Sequence, residues 1–328
     1  MTAREEIQEL VKIAKIENHG VEQIQDMTVI DSIFDKGRTK GISTGYGSLD
    51  DIIGGLKSGS CTIVGGATGM GKSLLGINIL VNIAKHGTPV CYIDLENGMA
   101  ESYERIMGIW FEKDQDWFED EKNKEQALEM KAEIDLNFRY YSHEHLATLG
   151  FNEEGIKLLN RIIKTEVKQG IKIFLIDPLQ AVEQSDNPSQ NFVIQGMFIE
   201  TMKNLTQEFG ITIIILHHLR KTTYSGGQQL KADEVDKLEE PLYRMPTIED
   251  FKGSSKITDF ATAVWGILRP INSKDSKTRE KLVIRILKNR TGNRGDAKLK
   301  LIEKNLKITE RDNFSPRFNI FKGFADSD

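Results

Sequence analysis

A chain of 328 residues, 39% hydrophobic and 28% charged, can bury a sizeable core as one large α/β domain or two smaller ones. Its formal net charge of −5 excludes a surface that coats nucleic acid indiscriminately, and no apolar run approaches the ~20 residues that span a bilayer, so no membrane partner is expected. The N-terminal MTAREEIQEL is polar and acidic and does not read as a secretory signal. Cys61 and Cys91, the two cysteines, both fall in apolar runs; they read as small buried hydrophobes rather than a disulfide or zinc site, which fits a reducing, cytoplasmic compartment.

Residues 1–18 have amphipathic helical spacing, with Ile7, Leu10, Val11 and Ala14 on one face and Asn18-His19-Gly20 as the stop. A second apolar pattern (Val21, Ile24, Met27, Ile30, Ile33) follows. This arm, residues 1–40, is too short for a domain; it either packs on its own core or docks on a neighbouring subunit. A motor domain is expected over 41–312, with a tail over 313–328. Ser48-Leu49-Asp50 suggests a capped helical turn ending at Gly54-Gly55. Cys61 to Val64 is a short apolar strand, and Leu74, Leu75, Ile77, Ile79, Leu80 and Ile83 continue beyond the glycine-rich loop as a largely apolar helix.

Pro89 to Leu95 is a second strand, ending at Glu96. Helices at about Met99 to Glu112 and Asp120 to Ile134, a strand at Leu136 to Tyr141 and a helix at Glu153 to Lys168 come next. The strand IKIFLI, Ile171 to Ile176, delivers Asp177. After a helix over Phe192 to Phe209, the strand Ile211 to Leu216 delivers His217 and His218. Strands apolar on both faces and alternating with helices indicate a mainly parallel sheet covered on two sides. Ligands of such sheets sit beyond the carboxyl ends of the strands, where the glycine loop, Glu96, Asp177 and His218 all fall. Arg220 to Asp250 reads as a long loop. Ala261 to Leu268, Lys281 to Leu287, Ala297 to Ile302 and Leu306 to Thr309 read as strands with tight turns, an antiparallel extension of the sheet.

The loop GGATGMGKS contains G-x-x-x-x-G-K-S, the Walker A pattern, in a strand–loop–helix context. Its glycines let backbone N–H groups close around phosphate oxygens, and the helix N-terminus adds positive potential. Gly66, Ala67, Thr68, Gly69, Met70, Gly71, Lys72, Ser73 and Leu74 are therefore the expected nucleotide contacts, with Lys72 on the β/γ-phosphates and Ser73 on Mg²⁺. Asp177 is placed as a Walker B acid beside the same ion. The residue after it is Pro178, so the base that activates water must come from elsewhere; Glu96 is the candidate.

His217-His218 reads either as a core pair or, at His218, as a sensor of the γ-phosphate; no third ligand at metal-site spacing accompanies the pair. Lys288 and Arg290 alternate onto one face of a strand end and form a candidate cationic finger pair for phosphoryl transfer. Between Arg269 and Lys300 lie eleven Lys/Arg against three Asp/Glu. Charge alone does not separate a nucleic-acid grip from a solvated basic hairpin there.

At GGATGMGKS, YIDLENG, IFLIDPLQ, IIILHHLRK with EDFKGSSKITDFATAVWGIL, and LVIRILKNRTGNRG, the chain resembles the ring-shaped replicative helicases of the DnaB type. It looks closest to the helicase half of the phage and mitochondrial primase–helicases, over roughly Gly41 to Glu310. The resemblance implies a RecA-like α/β fold, a homohexameric ring and 5′-to-3′ movement on single-stranded DNA driven by ATP or dNTP hydrolysis with Mg²⁺. It implies Glu96 as catalytic base, His218 as polar sensor, and Lys288 and Arg290 as piston lysine and arginine finger reaching across the subunit boundary. Arg220, Lys221, Lys231, Lys252, Gly253 and Ser254 would line a DNA channel.

Where relatives often carry Asp-Leu-Arg, this chain has Asp250-Phe251-Lys252, a point charge in place of a bidentate fork. The resemblance also implies forked DNA as substrate and a separate primase, polymerase or loader as partners, in a bacterial host cytoplasm if the chain is phage-encoded. Two other readings stand beside it. One is a RecA-family recombinase or repair ATPase forming filaments on DNA; the other is a non-hydrolysing binding module switched by nucleotide.

Overall fold

A computed structural model describes residues 41–146, 153–179, 188–219, 224–225, 228–229, 244–251, 255–271 and 273–311. The arm 1–40, the tail 313–328 and the expected channel residues Arg220, Lys221, Lys231, Lys252, Gly253 and Ser254 lie outside the described residues.

In chain order the main described elements are α1 (Gly47–Ile53), β1 (Cys61–Gly66), α2 (Lys72–Lys85), β2 (Val90–Asp94), α3 (Met99–Phe111), α4 (Lys124–Asn137), β3 (Phe138–Tyr141), α5 (Glu153–Lys168) and β4 (Ile173–Asp177). They continue with α6 (Pro188–Phe209), β5 (Thr212–His218), a small hairpin of β6 (Tyr224–Ser225) and β7 (Gln228–Gln229), α7 (Ser255–Phe260), β8 (Ala263–Leu268), β9 (Lys281–Asn289), β10 (Gly295–Ile302) and β11 (Lys307–Glu310). Nine strands form one sheet in the order β11-β10-β9-β8-β1-β5-β4-β2-β3. From β8 to β3 every neighbouring pair is parallel, and β9, β10 and β11 extend the sheet antiparallel.

The apolar runs explain this sheet. Along β1, β2 and β4 every residue is buried, as a strand covered on both faces requires. Alternate side chains sort into two cores. Val64, Tyr92, Leu175, Leu216 and Trp265 pack with α2, α3 and α4 on one face. Ile63, Ile93, Phe174, Ile176 and Ile215 pack with α5 and α6 on the other. Cys61 and Cys91 are both buried and free, with burial pushing the Cys61 thiol up to about 12, so they behave as small hydrophobes.

Several local expectations need correction. Leu136 and Asn137 belong to α4, and the strand begins only at Phe138; the helix that starts at Lys124 carries through Leu136, which stays 73% exposed. The segment expected as one helix from Asp120 opens with a short 3₁₀ turn, Glu121–Asn123, before α4. α6 starts at Pro188, four residues earlier than Phe192, because proline's fixed φ suits a first helical turn. Ser48 does not cap α1; the N-cap is Tyr46 without a side-chain bond. Asp50 instead clasps the preceding loop, accepting from Ser43 Oγ at 2.6 Å and from Thr44 N and Oγ1 at 3.1 and 2.9 Å.

Much of the basic charge over 269–300 meets acids of the same hairpin region. Arg285 pairs with Asp296, Lys300 with Glu280, and Arg269 and Arg279 with Glu303. Being partly exposed, each contributes at most about 1 kcal/mol.

Candidate active site

Four adjacent strands deliver the polar residues side by side. β1 ends in the phosphate loop, β5 in His218, β4 in Asp177, and β2 runs into Glu96, in the order in which those strands lie in the sheet. The register aligns Gly66 with His218 and Asp94 with Asp177. Residues as distant in sequence as Thr68 and His218, 150 positions apart, are thus brought to one edge by parallel pairing.

The loop needs its glycines for two different reasons. Gly71 has φ 88°, the left-handed region that side chains avoid. At Gly66 a Cβ would lie 2.4 Å from Ile267 Cγ2 and 3.0 Å from the Ile267 carbonyl oxygen, so packing against β8 excludes one. Gly71 is also the N-cap of α2 and offers no side-chain acceptor to the first turn, which leaves that turn's amides aimed at the loop as an anion cradle. Lys72 is only 4% exposed; its Nζ donates to Gly66 O at 2.9 Å and Ala67 O at 3.0 Å. Burial lowers its pKa to about 8, against the opposing pull of Asp177 and Glu96.

Asp177 is fully buried, and burial pushes its pKa up to about 6, with Asp94 and Glu96 adding repulsion and the Ser73 hydroxyl and Lys72 pulling the other way. Its Oδ2 accepts from Tyr92 OH at 3.3 Å, while Oδ1 has no hydrogen-bond partner. A buried carboxylate oxygen without a donor, on a carboxylate beside the phosphate-loop serine, fits a hard divalent cation such as Mg²⁺. The fold also supplies what sequence spacing did not show for His218: ligand atoms of Glu96, Asp177 and His218 all lie within 4.8 Å of one another.

His218 bridges two parts of the site at the outer limit of hydrogen bonding. Its Nε2 is 3.5 Å from Glu96 Oε2 and its Nδ1 3.5 Å from Thr68 Oγ1 of the loop. Burial and then Lys72 lower its pKa, with Glu96 opposing, so the ring is neutral at pH 7. His217, by contrast, is buried, its pKa pushed down to about 4 mainly by that burial, and its ring stacks on Phe251 at 5.9 Å. The same Phe251 ring occupies the space beside Gly65, where a Cβ would meet it at 2.3 Å. Arg244 grips the neighbouring Asp250 with both guanidinium nitrogens, Nη1 lying 2.7 Å from Oδ2. Asp250 thus ties its own segment together, and Phe251 anchors that segment to β1 and β5.

Lys288 and Arg290 are brought together, but not at the loop. Thr62 of β1 pairs with Ala263 of β8, which pairs with Asn289, so the two cations sit at the opposite end of the sheet. Thr62 to Gly66 alone is roughly 13 Å of strand at ~3.3 Å per residue. A bulge at Leu287 resets the register (Val264 pairs with Lys288, Trp265 with Ile286). Lys288 Nζ then donates to Thr258 O and Asp259 O, and Arg290 Nη2 to Asp259 O at 2.7 Å, all carbonyls at the C-terminal end of α7.

Sequence reasoning passed over Asp94 and Tyr92. Asp94 is fully buried at the last position of β2 and accepts from Glu96 N at 3.1 Å and Asn97 N at 3.0 Å. The available signal was an aspartate closing an otherwise apolar run, two residues before Glu96.

Residues 41–310 match the DnaB-like helicase C terminal domain family. Over 269 residues the chain is 21% identical to the replicative DNA helicase DnaB of Leifsonia xyli subsp. xyli, covering 80% of this chain and 53% of that protein. The chain spans about half the length of the curated relatives it matches. Among solved structures, an ATPase domain matches at TM-score 0.68 and 16% identity, covering 87% of this chain and 96% of that one. A DnaB-like replicative helicase, described with its interactions with primase, matches at TM-score 0.68 and 17% identity over 87% of this chain and 65% of that one. These likenesses show the RecA-like fold. With a family match spanning most of its length, the chain belongs to the DnaB-like helicase C-terminal domain family.

Proposed function

We propose that this chain is the motor of a nucleoside-triphosphate-driven replicative helicase that moves 5′ to 3′ on single-stranded DNA as a hexameric ring. The observation that carries the reading is the split between the two ends of the sheet. Lys72, Ser73, Glu96, Asp177 and His218 share one edge, while the cations a phosphoryl-transfer site would use lie at the other.

In this reading the α2 N-terminus and Lys72 hold the β/γ-phosphates of ATP or a dNTP. Ser73 and Asp177 hold Mg²⁺, which supplies charge neutralisation between the phosphates. Glu96 takes the proton from attacking water. Neutral His218, joined to both Glu96 and Thr68, reports the state of the γ-phosphate to the loop beyond β5. Lys288 and Arg290 leave the α7 carbonyls to complete the neighbouring subunit's site. Arg220, Lys221, Lys231, Lys252, Gly253 and Ser254 grip phosphates in the channel, which needs a few cations and backbone amides rather than a basic exterior. A primase, polymerase or loader supplied by separate chains and a cytoplasmic setting complete the proposal; among the described residues no helix is long and apolar enough to cross a membrane.

The test is strand displacement on forked substrates of both polarities, with hydrolysis measured with and without single-stranded DNA and micrographs of the nucleotide-bound complex. DNA-stimulated turnover, closed rings and unwinding from a 5′ tail are expected. Filaments, or no hydrolysis in either condition, would overturn the reading.

A further inference from the structure

Asp94 is fully buried, and both of its oxygens are filled by hydrogen-bond donors. Oδ1 accepts from the Glu96 and Asn97 amides at 3.1 and 3.0 Å and from Asn97 Nδ2 at 3.3 Å. Oδ2 accepts from Ser102 Oγ at 2.5 Å, Tyr140 OH at 3.4 Å and Asn97 Nδ2 at 3.3 Å. Those donors come from the turn after β2, from α3 and from β3, so one carboxylate ties three elements to the end of the strand that delivers Glu96. The Tyr92 hydroxyl, which donates to Asp177 Oδ2 at 3.3 Å, is also within hydrogen-bond reach of Asp94, and the strand register sets Asp94 beside Asp177.

Burying a carboxylate this completely is costly unless its lone pairs are filled, and filled it becomes a rigid strut. Glu96 needs such a strut. Its side chain is 55% exposed, and the contact it makes with His218 is a long one at 3.5 Å. The precision of a base that must meet attacking water therefore rests on its backbone, which Asp94 holds.

We propose that Asp94 is a positioning residue for hydrolysis: through its bonds to the Glu96 and Asn97 amides it fixes where the Glu96 carboxylate can reach. The role differs from binding nucleotide or metal, and it rests on Glu96 being the base.

The variants are Asp94→Ala, which removes the tie, and Asp94→Asn, which keeps one amide oxygen for the two backbone N–H groups. Single-turnover hydrolysis, nucleotide affinity and thermal melting are measured for each, alone and in a Glu96→Gln background. Asp94→Ala is expected to lower kcat about 100-fold, the scale of an ångström of misplacement, with nucleotide Kd near wild type. Asp94→Asn should recover most of that loss. In the Glu96→Gln background, Asp94→Ala should cost nothing further, because the two act as one unit.

If Asp94→Ala fails to fold, the pair Ser102→Ala with Tyr140→Phe loosens the same carboxylate and should lower kcat with unchanged Kd. Wild-type turnover in the folded Asp94→Ala protein, or in that pair, overturns the proposal. So does an Asn variant as impaired as Ala, or a loss that adds fully to that of Glu96→Gln. Full activity in Glu96→Gln itself would remove the assignment of the base, whereas a dead Glu96→Gln beside a fully active Asp94→Ala removes the positioning role alone.

Discussion

Replacing Asp177 with Asn should make the nucleotide-free protein more stable while it abolishes turnover. The folded pKa of Asp177, about 6, lies above the 3.8 of an ordinary aspartate, so the native state holds the proton more tightly than the unfolded chain between those values. Stability is therefore lost as pH rises through that window, and above it the full cost stands. About two pKa units at ~1.4 kcal/mol each make this roughly 3 kcal/mol at pH 8 and about half that at pH 5. Asparagine removes the charge but turns an amide N–H₂ toward the place where Oδ1 has no donor, a loss of about 1 kcal/mol. The net gain is then roughly 2 kcal/mol at pH 8, about 5 °C in Tm, and close to nothing at pH 5. Calorimetry of both proteins in EDTA, without nucleotide, at the two pH values measures it. A Tm difference that is the same at both, or a variant less stable at pH 8, refutes the argument. Magnesium nucleotide should then raise the wild-type Tm and leave the variant's almost unchanged.

Lys72→Ala removes the cation at the phosphate cradle and should abolish nucleotide binding, hydrolysis and unwinding together, as read by equilibrium binding and turnover. Arg290→Ala should leave nucleotide Kd within about twofold and collapse DNA-stimulated hydrolysis by roughly 10³-fold or more, the scale of an arginine finger; full turnover would sink the cross-subunit assignment. Gly66→Ala forces a methyl group against Ile267, 2.4 Å from Cγ2. Overpacking of this kind costs about 2 kcal/mol, and because the loop shifts to relieve it, nucleotide affinity should fall along with Tm.

The sheet and its polar edge were legible because two independent patterns coincide. Apolar runs such as IFLI and TIIIL can only be covered strands, and each runs into polar residues: Asp177 directly after one, and His217 and then His218 after the other. Asp94 escaped notice because its environment is assembled from afar, with Ser102 eight and Tyr140 forty-six residues downstream. The link from Thr68 to His218 spans 150 positions and exists only through the pairing of β1 with β5. At Lys288 and Arg290 alternation correctly put both on one face. Their seat on the α7 carbonyls, however, depends on the bulge at Leu287, which leaves no trace in residue spacing. Phe251 enters the sequence reading only as the middle of Asp250-Phe251-Lys252, whereas its ring fills the volume that Gly65 leaves empty.

Because the phosphate loop and the cation pair occupy opposite ends of one sheet, two copies related by a two-fold axis cannot complete each other's sites with the contact that a head-to-tail ring repeats. In the proposed ring each chain is a lender at one end and a borrower at the other. Two inactive proteins can then rescue one another: a Lys72→Ala subunit still lends a finger, and an Arg290→Ala subunit still owns a sound loop. In an equal, random mixture about a quarter of the junctions join those two intact halves, so hydrolysis is expected to return in a solution where neither ingredient has any.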